Sequence, residues 1–192
     1  MTVELKASDF DSWPNVSTEA DAEPYIENAV AVGSDYIKLF HERGAAVGIP
    51  EDALSRPSVA VQQAVVKAAH KRNLKVVAHA LGLNDATEII RTGIDGLAHT
   101  FFDQPTSDEI LELYKKHDPW VNPTLACIGV LSGESMEFQE KFARDERVAS
   151  RVPEEHIKLL RTPIKMAAEG AKWEYAIDSV RKLHAAGTRI IV

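Results

Sequence analysis

Three polar residues interrupt segments that otherwise have the composition of buried strands. Lys38 lies within residues 35–40, His79 near the end of residues 74–80, and His99 at the end of residues 94–99. Imidazole is a good ligand for zinc and similar ions. A buried lysine with a depressed pKa is a nucleophilic amine, and after uptake of CO2 its carbamate binds metal as a carboxylate does. These residue types therefore predict metal or covalent chemistry.

Each of the three residues also has an ordinary explanation when it is taken alone. A histidine at the end of a strand is most often a hydrogen-bonded core or rim residue, and a strand lysine usually extends its amine into water. The three residues occupy three consecutive predicted strands, so the ordinary explanation would have to hold independently for each of them. This repetition favours a functional site formed by Lys38, His79 and His99.

The elements that must position these residues alternate between strands and helices. Strands are predicted at residues 35–40, 74–80, 94–99 and 120–123, with one more beginning at residue 189. Helices are predicted at residues 22–32, 58–72, 84–91 and 107–116, and over most of residues 134–186 with breaks near Pro153 and Pro163. This order is the βαβ pattern of a parallel sheet, either an open sheet or a barrel.

A barrel is favoured over a nucleotide-binding open sheet, because no G-x-G-x-x-G and no phosphate-binding loop motif occurs in the sequence. Strand side chains alternate between the two faces of a sheet, so Lys38 shares a face with Tyr36 and Phe40. The carboxyl ends of barrel strands line the active site. Lys38, His79 and His99 are therefore expected at one barrel mouth.

Five segments, in this order and spacing, resemble motifs of the amidohydrolase superfamily, in its imidazolonepropionase-like and prolidase-like branch. Residues 35–40 (DYIKLF) resemble G-x-D-x-I-K of strand 4, and residues 69–80 (AHKRNLKVVAHA) resemble A-H-x-x-G-x-x-V-x-x-H-A of strand 5. Residues 93–99 (GIDGLAH) resemble G-x-D-x-x-x-H of strand 6. Residues 122–125 (NPTL) resemble V-x-P-T-L of strand 7, and residues 186–192 resemble the run leading to G-T-D of strand 8.

The resemblance implies an α/β fold in which residues 1–192 are one partial (β/α)8 TIM-type barrel domain that lacks strands 1–3 and the end of strand 8. It implies that Lys38 is carboxylated and bridges two divalent metal ions, expected to be zinc, while His79 and His99 bind the second ion. It further implies hydrolysis of an amide or peptide C–N bond, in a dipeptidase-like reaction, by a metal-bound hydroxide.

The sequence departs from the family pattern at several positions. It contains no H-x-H pair, which strand 1 supplies to the first metal, and the aspartate of strand 8 would fall just after Val192. Leu81 stands where many relatives have a second histidine, H-A-H-G. We therefore expect the 192-residue chain alone to be inactive or nearly so. His41, three residues after Lys38, is a further candidate for contact with substrate.

Alternative functions remain open at this point. The same scaffold would suit a lactone, carbamate or phosphotriester hydrolase, or a non-catalytic half-barrel that serves as a binding or assembly module. A Schiff-base aldolase that uses Lys38 would leave His79 and His99 unexplained. Two open sheet edges in a partial barrel predict self-association into a homo-oligomer.

The composition narrows the partners. A net charge of −7 provides no basic surface for nucleic acid or anionic lipid, and no apolar run approaches the roughly 20 residues that span a bilayer. A small-molecule or dipeptide-like substrate is expected. The single cysteine, Cys127, is expected to be a plain buried thiol, and its being alone favours a reducing, cytoplasmic location.

Overall fold

The computed structural model describes residues 16–50, 54, 56–164 and 166–192. Within these residues, four parallel strands form one sheet in the order β1-β2-β3-β4. They are β1 (Tyr36–Phe40), β2 (Lys75–His79), β3 (Gly96–Leu97) and β4 (Trp120–Val121). Ile190 forms a parallel bridge to Val121, at the place where a further strand was predicted to begin. The α/β class with a parallel sheet is thus confirmed.

Helices and strands alternate as predicted as far as β4, and after β4 the alternation ends. Those that alternate with the strands are α1 (Ala22–Ala31), α2 (Val59–His70), α3 (Leu83–Ile90) and α4 (Asp108–His117). Five more follow β4: α5 (Leu125–Ser132), α6 (Met136–Arg144), α7 (Glu146–Ala149), α8 (Glu154–Leu160) and α9 (Trp173–Ala185). Short 3-10 turns lie at Glu19–Asp21 and Ala45–Val47.

Local chemistry explains where the early helices begin and end. The hydroxyls of Ser58 and Ser107 each accept a first-turn backbone N–H, which starts α2 and α4. Asp118, with φ of 51°, takes the left-handed conformation that ends α4 before β4. These short-range signals are visible in the sequence, and the helices that they bound were predicted to within a few residues.

The main core packs the alternating helices against one face of the sheet. Ile37, Val76 and Leu97 are buried from successive strands, and they share a continuous apolar cluster with Ile26 of α1 and Ile89 of α3. Burial of this apolar surface holds the helices on the strands. Lys38 lies on the opposite face of the sheet, near the carboxyl end of β1, and its side chain is exposed.

Three expectations about the later part of the chain need correction. The strands at 94–99 and 120–123 are shorter than predicted, so His99 follows β3 by two residues. By contrast, residues 134–186 are mostly helical with breaks near Pro153 and Pro163, as predicted, and among the described residues the second break extends from the end of α8 to the start of α9. Helix α5 was not predicted, and Cys127 is exposed on it rather than buried.

No helix in the described residues is both long and apolar enough to cross a membrane.

The outer edge of β1 generates a testable expectation. Among the described strands β1 pairs only with β2, and the Tyr36 side chain beside this edge is 54% exposed. Unpaired strand edges favour association. We expect light scattering during size exclusion to give a mass above the 21.2 kDa of one chain. Tyr36→Lys should lower that mass, whereas Phe142→Lys on exposed α6 should not; a strict monomer at all concentrations would contradict the expectation.

Candidate metal and active site

The three predicted residues come together at the carboxyl edge of the sheet. In the β1–β2 register Lys38 lies opposite Val77 and Phe40 lies opposite His79. The ring of His79 stacks on Phe40 at a centroid distance of 4.6 Å, and it meets the ring of His99 edge-on at 4.7 Å and 80°. The structure therefore places Lys38, His79 and His99 around one site, as the strand-end argument predicted.

His99 is held as a neutral imidazole. Its Nδ1 lies 2.8 Å from Oγ1 of Thr124, the residue that precedes α5. Burial, followed by the nearby charges of His79 and Lys38, lowers the pKa of His99 to about 4. At neutral pH its ring carries no charge, and no hydrogen bond among the described residues engages Nε2. That nitrogen keeps a lone pair suited to a metal ion.

Glu42 is a site residue that the sequence analysis missed. Its buried carboxylate lies 3.5 Å from Nε2 of His79 and accepts the backbone N–H groups of Gly44 at 2.7 Å and Leu81 at 2.9 Å. Burial works to raise the pKa of Glu42, but the hydrogen bonds from His79, Gly44 and Leu81 together lower it below its ordinary value. A charged carboxylate therefore orients His79.

A signal for Glu42 was present in the sequence. It lies two residues after β1, where strand alternation continues to direct side chains toward the barrel mouth. Carboxylates that hydrogen-bond the second nitrogen of a metal-binding histidine are a common feature of metal sites. Among the residues that follow Phe40, the sequence analysis singled out His41 rather than Glu42.

His41 points to the other side of the chain. It is completely buried, with Nε2 3.0 Å from Oε2 of Glu88 and Nδ1 2.9 Å from Nε2 of Gln62. Burial is the largest influence on its pKa, which is lowered. His41 does not line the cavity that Lys38 and His79 line. This placement does not support the proposed contact between His41 and substrate, which stays a prediction.

His41, Asp85 and Glu88 bring their potential ligand atoms within 4.8 Å of one another, so they could in principle hold a cation. The guanidinium of Arg43 already lies there, with Nη1 2.8 Å from Oδ1 of Asp85 and Nη2 in contact with Glu88. Burial raises the pKa of Asp85 to about 6 even though the backbone N–H and the charge of Arg43 oppose this shift. We interpret the cluster as a buried ion pair that ties the residues after β1 to α3.

A cavity of about 640 Å³ opens beside the site. Lys38, Glu42 and His79 supply its polar lining. The volume lies within the range of about 300–1,000 Å³ that is typical of small-molecule sites. The site thus combines two imidazoles, an amine and a carboxylate with space for a ligand.

Comparison with known proteins is informative at the level of structure. No protein-family model and no curated protein matches the chain. Among solved structures, a Xaa-Pro dipeptidase with bound methionine matches with a TM-score of 0.56 at 19% identity, over 96% of this chain and 41% of that chain. A prolidase complexed with N-methylphosphonate-L-proline matches with a TM-score of 0.56 at 18% identity, over 91% and 37%.

A third similar structure is the ochratoxinase of A. niger, with a TM-score of 0.58 at 15% identity, over 91% of this chain and 34% of that chain. The chain has the fold of part of an α/β barrel, which it shares with these structures. This confirms the predicted partial barrel. The chain spans well under half the length of each of these structures.

The contacts of Glu42 generate a stability prediction. In Glu42→Gln one side-chain oxygen replaces the two carboxylate oxygens, so one of the two backbone hydrogen bonds is lost. The new NH2 group then lies against the N–H of Gly44 or Leu81, donor against donor. We expect a loss of about 1–3 kcal/mol in the free energy of unfolding at pH 7, measured by urea denaturation. The exposed surface pair of Glu154 and Lys158 provides the control, Glu154→Gln, with little effect.

The effect of Glu42→Gln should also depend on pH. Because the folded-state pKa of Glu42 lies below its ordinary value of 4.5, the carboxylate contributes stability above that value, and the contribution is lost as the pH falls through the folded-state pKa. The difference between wild type and variant should therefore shrink in acid. A Glu42→Gln chain as stable as Glu154→Gln at pH 7 would contradict the assigned contacts.

Proposed function

We propose that this chain is the metal-binding part of a hydrolase of the amidohydrolase type, which cleaves an amide or peptide C–N bond. The observation that carries the proposal is the convergence of Lys38, His79 and His99 at the carboxyl edge of a parallel sheet. The fold shared with prolidase and ochratoxinase structures supports the same class. Metal dependence, substrate and catalytic activity are parts of the proposal.

The donor set fits a divalent ion. His79 and His99 offer imidazole nitrogens, and the pKa of about 4 keeps His99 neutral over the physiological range. We propose that Lys38 carries a carbamate that bridges two ions, that His79 and His99 bind one of them, and that the metal is zinc. When bound, such ions lower the pKa of water and polarise the scissile carbonyl.

The chain's own residues contribute orientation and apolar surroundings. Glu42 holds the His79 ring from the side of Nε2, and Thr124 holds the His99 ring at Nδ1. Two imidazole rings held in this way lose little conformational freedom when they bind a metal ion or contact a substrate. The side chains of Phe40 and Leu81 line the cavity beside them.

The proposal concerns the whole protein to which this chain corresponds. The similar structures are more than twice as long, and the H-x-H pair and the strand 8 aspartate of the family are missing from this sequence. We therefore propose that the 192 residues alone are inactive or nearly so. A lactone, carbamate or phosphotriester substrate on the same scaffold is the alternative, and a cytoplasmic location remains part of the proposal.

The experiment that tests this function uses a polypeptide in which the remaining strands complete the barrel. Dipeptide hydrolysis should be lost in His79→Ala and in Lys38→Ala, because each variant removes a proposed metal ligand. Lys115→Ala, which changes an exposed lysine of α4, is the matched control and should retain the rate. Retention of dipeptide hydrolysis in His79→Ala would contradict the proposal. Hydrolysis of lactones or phosphotriesters but not of dipeptides would favour the alternative.

A further inference from the structure

The cavity has three polar lining residues, and the rest of its lining is apolar. The carboxyl ends of β1 and β2 supply all three polar lining residues, Lys38, Glu42 and His79. The other eight of the eleven lining residues are apolar. They come from the strands, from the loop after β1 and from the region after β4, and they include Phe40, Val47, Ile49, Leu81, Leu131 and Met166.

Backbone hydrogen bonds hold the apolar walls in place. The N–H groups of Met166 and Ala167 donate to the carbonyl of Leu131 at 2.8 and 3.0 Å, which ties the segment before α9 to the end of α5. The N–H of Ala168 donates to the carbonyl of Ala46 at 3.0 Å, which ties the same segment to the 3-10 turn after β1. The apolar walls are therefore joined to each other before any ligand enters, and such preorganisation favours binding.

The carboxylate of Glu42 has little hydrogen-bonding capacity left for a substrate side chain. The oxygens of Glu42 already receive the N–H groups of Gly44 and Leu81 and the contact from His79. An acidic side chain would lose its water against the eight apolar lining residues, whose side chains offer it no hydrogen-bond donor, and this makes its burial costly. A neutral apolar side chain meets no such cost.

We infer that the cavity binds a bulky apolar side chain of the substrate, aromatic or branched aliphatic, next to the bond that is cleaved. This inference rests on the proposed function for the assignment of the scissile bond. Leu131 and Met166, which are far from β1 and β2 in sequence, determine this preference together with Leu81. The substrate class is thus an amide or peptide with an apolar residue beside the C–N bond.

The experiment measures binding on the 192-residue chain, so it does not depend on turnover. Methyl NMR spectra of leucine and methionine are recorded during titration with N-acetyl-L-phenylalanine amide and, separately, with N-acetyl-L-glutamic acid α-amide. We expect the methyl signals of Leu81, Leu131 and Met166 to shift with the phenylalanine ligand. Its dissociation constant should be at least about tenfold lower than that of the glutamate ligand.

Variants of the apolar wall sharpen the test. Leu131→Gln should raise the dissociation constant of the phenylalanine ligand about tenfold. Leu159→Gln, at an α8 leucine that is 57% exposed, is the matched control and should leave the constant unchanged. If Leu131→Gln does not fold, Met166→Gln takes its place, because Met166 lies in a segment without helix or strand.

The inference and the proposed function fail in different ways. Equal affinity for the two ligands, the absence of shifts at the cavity methyl groups, or an unchanged constant in the wall variant would overturn the apolar preference. Absence of dipeptide hydrolysis in the complete barrel, with the binding preference intact, would overturn the hydrolase and leave an apolar binding cavity.

Discussion

The parallel pairing of β1 with β2 is the constraint on which the candidate site depends. The register places Phe40 opposite His79, and the backbone N–H of His41 continues the pairing by donating to the carbonyl of His79 at 3.0 Å. Because strand side chains alternate with a period of two residues, a shift of one residue would exchange the faces of every group on β1. Lys38 would then point into the helical layer, where the buried Ile37 now lies.

The alternation imposed by this pairing extends beyond the last residue of β1. Phe40 and Glu42 line the cavity, whereas His41 between them turns toward α2 and α3 and is buried against Gln62 and Glu88. The side that faces the cavity and the side that faces α2 and α3 therefore each have their own network of polar contacts. Such contacts are needed because an unpartnered charge in a protein interior is costly. Arg43 pairs with the carboxylates of Asp85 and Glu88 on the side of α3. The side of the candidate site holds the imidazoles of His79 and His99 and the carboxylate of Glu42.

Much of this arrangement is visible in the sequence, and the remainder has a physical reason for being hidden. Strand alternation and the caps at Ser58 and Ser107 are local signals, so the early strands, the early helices and the convergence of Lys38, His79 and His99 were predictable. Helix α5 is apolar on all sides and carries no helical periodicity that could separate it from a buried strand. The segment between α8 and α9 is held by bonds to Leu131 and Ala46, which are distant in sequence.

The most direct test of the account is the metal content of the purified chain, measured by elemental mass spectrometry after exhaustive dialysis. We predict about one zinc ion or more per chain, because the imidazoles of His79 and His99 meet edge-on at 4.7 Å beside Lys38 and the lowered pKa of His99 keeps that ring neutral. The metal should be lost in the double variant His79→Ala/His99→Ala and retained in His184→Ala, which changes a histidine at the end of α9. A chain that retains no metal, or a double variant that retains as much as the wild type, would contradict the central claim that these strand ends form a metal site.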